Sequence, residues 1–165
     1  MSDLLSSPSV ARVQAALASA GSPATVLVLA ETARTAQDAA DSIGCPLGAI
    51  VKSLVFTVGG RPAMALVSGD RQCDTGALPE VLGLDGKCRR ADADTVRNAT
   101  GFAIGGVAPL AHPAPLPTAL DQGLARFERI YAAAGHPHCV FATGFDELLT
   151  LTGGIASERL GRTAP

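Results

Sequence analysis

Residues 48–56 read GAIVKSLVF, an apolar run broken by one lysine. The β-branched and aromatic content of Ile50, Val51, Val55 and Phe56 predicts a strand. Side chains alternate along a strand, so Lys52 shares a face with Ile50, Leu54 and Phe56, the more hydrophobic side of the run. A lone ammonium is costly to bury unless it is paired or lines a wet pocket. Two readings follow. Lys52 snorkels to the sheet edge with its stem covered and its amine wet, or it is a cation aimed into a ligand site.

The neighbouring segments frame this strand. Gly59, Gly60 and Arg61 signal a hairpin into PAMALVSG. Upstream, SSPSVARVQAALASAG predicts a helix capped by Ser7, with Pro8 in its first turn and Gly21 at its end. TVLVLA predicts a strand, and TAQDAADSIG a short helix capped by Thr35 and stopped by Gly44. Downstream come a helix near DTGALPEVLG, weakened by Pro79, then a short strand at KCRRA and a capped helix at DADTVRNATG. FAIGGVAPLAHPAPLP predicts a strand end running into a Gly/Pro-rich loop. TALDQGL, RIYAAAG and CVFAT are strand candidates, FDELLTLTG is a last helix, and a frayed tail is expected after it. The elements lack a steady βαβ rhythm. The expectation is a mixed α/β fold with a curled mixed sheet and helices outside it, built as one domain over residues 1–165.

Bulk composition narrows the classes. The chain has 165 residues, 47% hydrophobic and 17% charged, so it can bury a core and is not a disordered chain. Its apolar runs are too short for a membrane helix and MSDLLSSPSV lacks a signal-peptide pattern, so a cytoplasmic protein is expected. A net charge of −2 argues against broad nonspecific nucleic-acid binding but not against a local patch. Lys87, Arg89, Arg90, Arg71 and Arg97 are the candidates for such a patch. Cys45, Cys73, Cys88 and Cys139 form no CxxC pair and are expected as free, mostly buried thiols.

Four groups of residues could carry chemistry. Lys52 is the first. The second is the loop around Gly101, Gly105 and Gly106, whose spacing is not a dinucleotide fingerprint but whose N–H groups could approach a ligand. The third is HPHC, with His136, His138 and Cys139; its spacing fits no usual zinc site, so a solvated turn is expected and no metal or cofactor. The fourth is SGDRQCD, with Ser68, Asp70, Arg71 and Asp74: either helix caps with an ion pair, or a pocket rim. Asp121 could partner Lys52 across a cleft or cap a turn. No GxSxG motif is present.

In order, IGCPLGAIVKSLVF, ALVSGDRQCD, ATGFAIGGVAPLAH and LPTALD make the chain resemble the YbaK / prolyl-tRNA synthetase editing-domain family in its free-standing form. The similarity runs from the first helix to DELLTLTGG. The resemblance implies a partly barrel-like sheet and hydrolysis of the ester between a wrong amino acid and the terminal adenosine of tRNA. It places Lys52 on the family's key lysine, Ser53 on the small hydroxyl residue beside it, Gly105 and Pro109 on its GxxxP loop, and Asp121 on the aspartate after LPT. With these, Gly106 joins the oxyanion site, while Ser68, Arg71 and Ala108 join the substrate-binding set.

Two departures bear on specificity. Ala108 stands where YbaK-type cysteinyl-tRNA deacylases tend to carry serine, and VLVLAETARTAQDAA offers none of their early aromatic residues. The chain therefore looks closer to relatives that clear alanine or 2-aminobutyrate from tRNA-Pro. Implied partners are the acceptor end of mischarged tRNA and an aminoacyl-tRNA synthetase. The alternatives are a cysteinyl-tRNA deacylase, a non-hydrolytic aminoacyl-tRNA or synthetase-binding module, and a small-molecule esterase.

Overall fold

A computed structural model describes residues 3–30 and 34–163. The elements are α1 (Pro8–Ser19), β1 (Val26–Val28), α2 (Ala36–Ile43), β2 (Ile50–Val58), β3 (Arg61–Ser68), β4 (Arg71–Cys73), α3 (Ala77–Leu82), β5 (Cys88–Arg90), α4 (Ala93–Thr100), β6 (Thr118–Asp121), β7 (Ile130–His136), β8 (Cys139–Thr143), α5 (Phe145–Thr152), β9 (Ile155–Ser157) and β10 (Gly161–Thr163). Of the predicted stretch 26–40, residues 31–33 lie outside the described residues.

Local chemistry sets the helix ends. Ser7 accepts from Val10 N–H, Thr35 from Asp38 N–H and Asp92 from Thr95 N–H, and left-handed Gly44 and Gly101 stop α2 and α4. Asp74 acts two residues earlier than a simple cap. Its carboxylate accepts from the N–H groups of Gly76 and Ala77, and Pro79 fits the first turn of the short α3.

The main sheet has the order β1-β8-β7-β2-β3-β6-β9, with β5 joining β2 outside that path; β10 and β4 form a second, two-stranded sheet. The mixed fold is as expected, with parallel pairings β2·β7, β3·β6 and β6·β9 among antiparallel ones. Both faces of β2 and β3 are covered. Val51, Val55, Met64 and Leu66 enter the larger core with Val10 and Leu17 of α1, Phe102 and Phe141. Phe56, Ala65 and Val67 enter a smaller core with Leu78 of α3 and Leu160. The face opposite Lys52 thus carries the larger core, which corrects the sequence expectation: valines at odd positions bring less apolar surface each but meet more partners.

Three other expectations are corrected. No strand precedes the 101–117 loop. After β6 the chain turns at once into a 3-10 segment (Gln122–Arg126), because Asp121 accepts from Gly123 N–H and caps it. The segment after α5 is not frayed: it forms β9 and β10 and buries Leu160. No helix among the described residues is long and apolar enough to cross a membrane.

Candidate active site

The decisive feature is a change of partner along one edge of β2. β7 pairs with β2 at Ile50↔Tyr131 and Val51↔Ala132, then bulges between Ala133 and His136. β5 takes over only at Phe56↔Arg90. Between them the edge of β2 has no paired strand among the described residues. The β7 bulge is enforced by Gly135, whose φ is +99° and whose Cβ would sit 2.8 Å from the Ser9 carbonyl oxygen of α1.

A cavity of about 320 Å³ occupies this slit, at the small end of ligand-site volumes. Lys52, Ser53 and Gly105 line it together, as do His136, Arg34 and Arg90. Lys52 and Ser53 leave opposite faces of β2, so the cavity wraps the strand edge and meets both. Ser68, Arg71, Gly106, Ala108, Pro109 and Asp121 do not line it.

Lys52 is half-buried, and its Nζ donates to the Arg71 carbonyl. Burial pulls its pKa below the ordinary lysine value, partly offset by Asp70, Cys73 and Asp121. One donor is tied to the Arg71 carbonyl; an ammonium has two more. Lys52 is therefore pinned rather than snorkelling.

Beneath it lies a polar tie. Asp121 is fully buried; its carboxylate accepts from Ser68 N–H at 3.2 Å and Gly123 N–H at 2.8 Å, with Arg71 Nη1 at 3.5 Å. Arg126 grips Asp70 through both carboxylate oxygens, at 3.1 and 2.8 Å, and donates to Ser68 Oγ. That grip, chiefly, lowers the Asp70 pKa. Ser68 Oγ donates to the Gly48 carbonyl, just ahead of β2. Ser68, Arg71 and Asp121 thus hold the platform under Lys52.

The 101–111 loop forms the opposite wall. Arg12 of α1 fastens both ends, donating to Gly101 O at 2.9 Å and Ala111 O at 3.1 Å while its guanidinium lies over Phe102. Ala108 and Pro109 are buried, and His112 Nε2 meets Ala108 O at 2.8 Å. Gly106 N–H donates to the Ala103 carbonyl, so it is engaged in a turn; Gly105, exposed with φ +100°, lines the cavity. A Cβ at Gly106 would meet three backbone atoms of Gly135 and His136 at 2.9–3.0 Å. Gly106→Ala should therefore prise the loop off the β7–β8 turn, costing about 2 kcal/mol and most of the activity. Denaturant titration beside a rate assay checks this.

Several residues reach the cavity that sequence reasoning did not place there. His136 lines the cavity; its Nδ1 accepts from His138 N–H, which places the proton of the neutral ring on Nε2. HPHC is thus a cavity wall rather than only a solvated turn, and among the described residues no cluster suits a metal ion. Ile104 is 65% exposed at the cavity rim. Arg90, one of the suspected patch residues, reaches the cavity, joined by the unforeseen Arg34. No local signal joins these positions into one site, because the bulge and the β2 partner change bring them together. The four cysteines are free; Cys139 is buried and the others half-buried, with burial first among the causes that push Cys73 up to about 12.

Ser53 stands apart. Its Oγ is buried and has no hydrogen-bond partner among the described residues. Such an orphan hydroxyl costs stability, so Ser53→Ala should raise the unfolding free energy by about 1 kcal/mol, read as a higher melting temperature.

The comparisons with known proteins bear on the fold and the family. A solved structure described as a candidate trans-editing enzyme for prolyl-tRNA synthetase superposes with a TM-score of 0.87 at 41% identity, covering 94% of this chain and 98% of that one. The candidate Cys-tRNA(Pro)/Cys-tRNA(Cys) deacylase EbsC of Enterococcus faecalis is 28% identical over 126 residues, 75% of this chain and 76% of that protein. YwhH of Bacillus subtilis is 36% identical over 104 residues, and the match spans 64% of its length. Proline–tRNA ligases match over a small part of theirs, 17% for that of Desulfovibrio desulfuricans. The family model of the aminoacyl-tRNA editing domain matches residues 30–151, most of the chain. The chain belongs to the aminoacyl-tRNA editing domain family, and aminoacyl-tRNA deacylase is the enzyme class that this membership indicates.

Proposed function

We propose that this chain acts in trans on mischarged tRNA, hydrolysing the ester that joins a small amino acid, alanine or 2-aminobutyrate, to the terminal adenosine of tRNA-Pro. The observation that carries the reading is the slit beside β2, where Lys52, Ser53 and Gly105 line one small cavity.

An aminoacyl ester is already activated, so no strong protein nucleophile is needed. The site has to hold the ester against a water or a ribose hydroxyl and stabilise the oxyanion. Lys52 anchors: its remaining N–H donors meet the terminal phosphate or the ester oxygens. With Gly106 N–H engaged, the loop's oxyanion donor is Gly105 N–H. Arg34 and Arg90 at the cavity supply the cationic contacts for the acceptor-end backbone. A synthetase that releases the mischarged tRNA is the natural second partner. The small cavity, walled by Gly105 and Val107 of the loop and by Pro137, sieves by shape.

Cysteinyl-tRNA is the second reading, favoured by the likeness to EbsC. The test is a deacylation panel of alanyl-, 2-aminobutyryl-, cysteinyl-, seryl- and prolyl-tRNA-Pro. Preference for the first two supports the proposal. A preference for cysteinyl-tRNA selects the second reading, and no turnover on any substrate sinks both.

A further inference from the structure

The slit has a chemical signature that the fold does not explain. Carbonyls of even residues of β2 face β3, as shown by Gly69 N–H donating to Ile50 O; those of odd residues face the other edge, as shown by Ala91 N–H donating to Val55 O. Ser53 is odd, so its N–H and C=O point into the unpaired stretch. Val51 on one side is paired with Ala132, and Val55 on the other already accepts from Ala91. The open edge is thus centred on one residue, too short to receive another strand. At that same residue the side-chain hydroxyl is buried and, among the described residues, unpartnered.

We infer that Ser53 reads the α-amino-acyl unit of the substrate, pairing with it as one strand residue pairs with another. This rests on the proposed deacylase reading and deepens it. An α-amino acyl group carries an ammonium donor and a carbonyl acceptor at the spacing of a strand residue's own N–H and C=O. The ammonium donates to Ser53 C=O and, after a χ1 step of the hydroxyl, to Ser53 Oγ. Ser53 N–H donates to the acyl carbonyl oxygen, joining Gly105 N–H as that oxygen gains charge. The recognition is independent of the amino-acid side chain. It separates aminoacyl esters from other acyl esters, while the cavity walls select side-chain size.

The experiment compares two hydrolysis-resistant probes, 3′-(L-alanylamino)-3′-deoxyadenosine and the lactoyl counterpart in which a hydroxyl replaces the α-amino group. Affinities are measured by calorimetry at about pH 6.5, where an α-amine is charged. Wild type should bind the alanyl probe on the order of ten-fold more tightly. Ser53→Ala should fold, since it loses no hydrogen bond, and should narrow that ratio to about three-fold or less, the strand carbonyl alone remaining. Equal binding of the two probes to wild type, an unchanged ratio in Ser53→Ala, or no binding of either probe overturns the inference. Hydrolysis of alanyl-tRNA-Pro is assayed separately. Probe discrimination without turnover would reject the deacylase reading while leaving the amino-acyl recognition standing.

Discussion

Lys52→Ala is expected to lower deacylation of mischarged tRNA by about two orders of magnitude, the scale of losing a charged stabilising contact in a dry site. Stability should change by no more than about 1 kcal/mol. The half-buried ammonium pays for its desolvation with one hydrogen bond to Arg71 O and the field of Asp70, Cys73 and Asp121, so its removal is nearly neutral. Lys52→Arg should not rescue the rate, because a planar guanidinium cannot occupy the compact site under the Arg71 carbonyl. Undiminished turnover by Lys52→Ala would remove the anchor from the mechanism. The pH dependence carries a matching signature. Burial first lowers the Lys52 pKa, so the ammonium is lost at a lower pH than an ordinary lysine's, and the enzymatic rate above background hydrolysis should fall on that alkaline limb. Stability moves oppositely. In the window between the folded pKa and the ordinary lysine value the unfolded chain binds more protons, so this group's unfavourable contribution is full below the window and is relieved as pH rises through it.

The second large effect is on the fold. Asp121→Ala should cost about 3–5 kcal/mol, because it strands the N–H groups of Ser68 and Gly123 in a fully buried site and leaves Arg71 unpaired. Against a typical total of about 5–15 kcal/mol, that is a large share. Asp121→Asn keeps the volume but turns an amide donor toward donors, so it should recover only part of the loss. Urea unfolding midpoints read both variants. A near-wild-type midpoint with a collapsed rate would return Asp121 to direct substrate contact; a collapsed midpoint with a normal rate per folded molecule assigns it to the platform.

How much of this could be read in the chain differs from element to element. Caps and stops at Ser7, Thr35, Gly44, Asp92 and Gly101 are local chemistry, and the helices lie where those residues put them. The hairpin at Gly59 and Gly60 follows for the same reason. The odd lysine of β2 and the glycine loop were legible as candidates, since a charge in an apolar run and adjacent glycines are conspicuous. The slit was not. It depends on β7 leaving β2 after two residues and β5 arriving five residues later, which no pattern within either segment encodes. His136 was therefore noticed only as part of a turn and Arg34 was invisible, and Arg12 looked like any surface residue of α1 although it fastens a loop some ninety to a hundred positions away. The tail from Ile155 to Thr163 was misjudged because its strands are only three residues long, and their stability comes from the strands they meet.

That tail also carries part of the fold beyond the family match. The family match stops at residue 151, yet a Cβ at Gly161 would collide with the Asp121 carboxylate, so the last strand is the lid that seals the buried acid from water. β9 covers the outer edge of β6, β10 pairs with β4 beside the Lys52 tether, and Leu160 fills the smaller core. The folding unit is thus longer than the segment by which the family is recognised. An editing module cut or fused at the end of α5 would carry every residue of the slit and lack the piece that keeps its foundation dry.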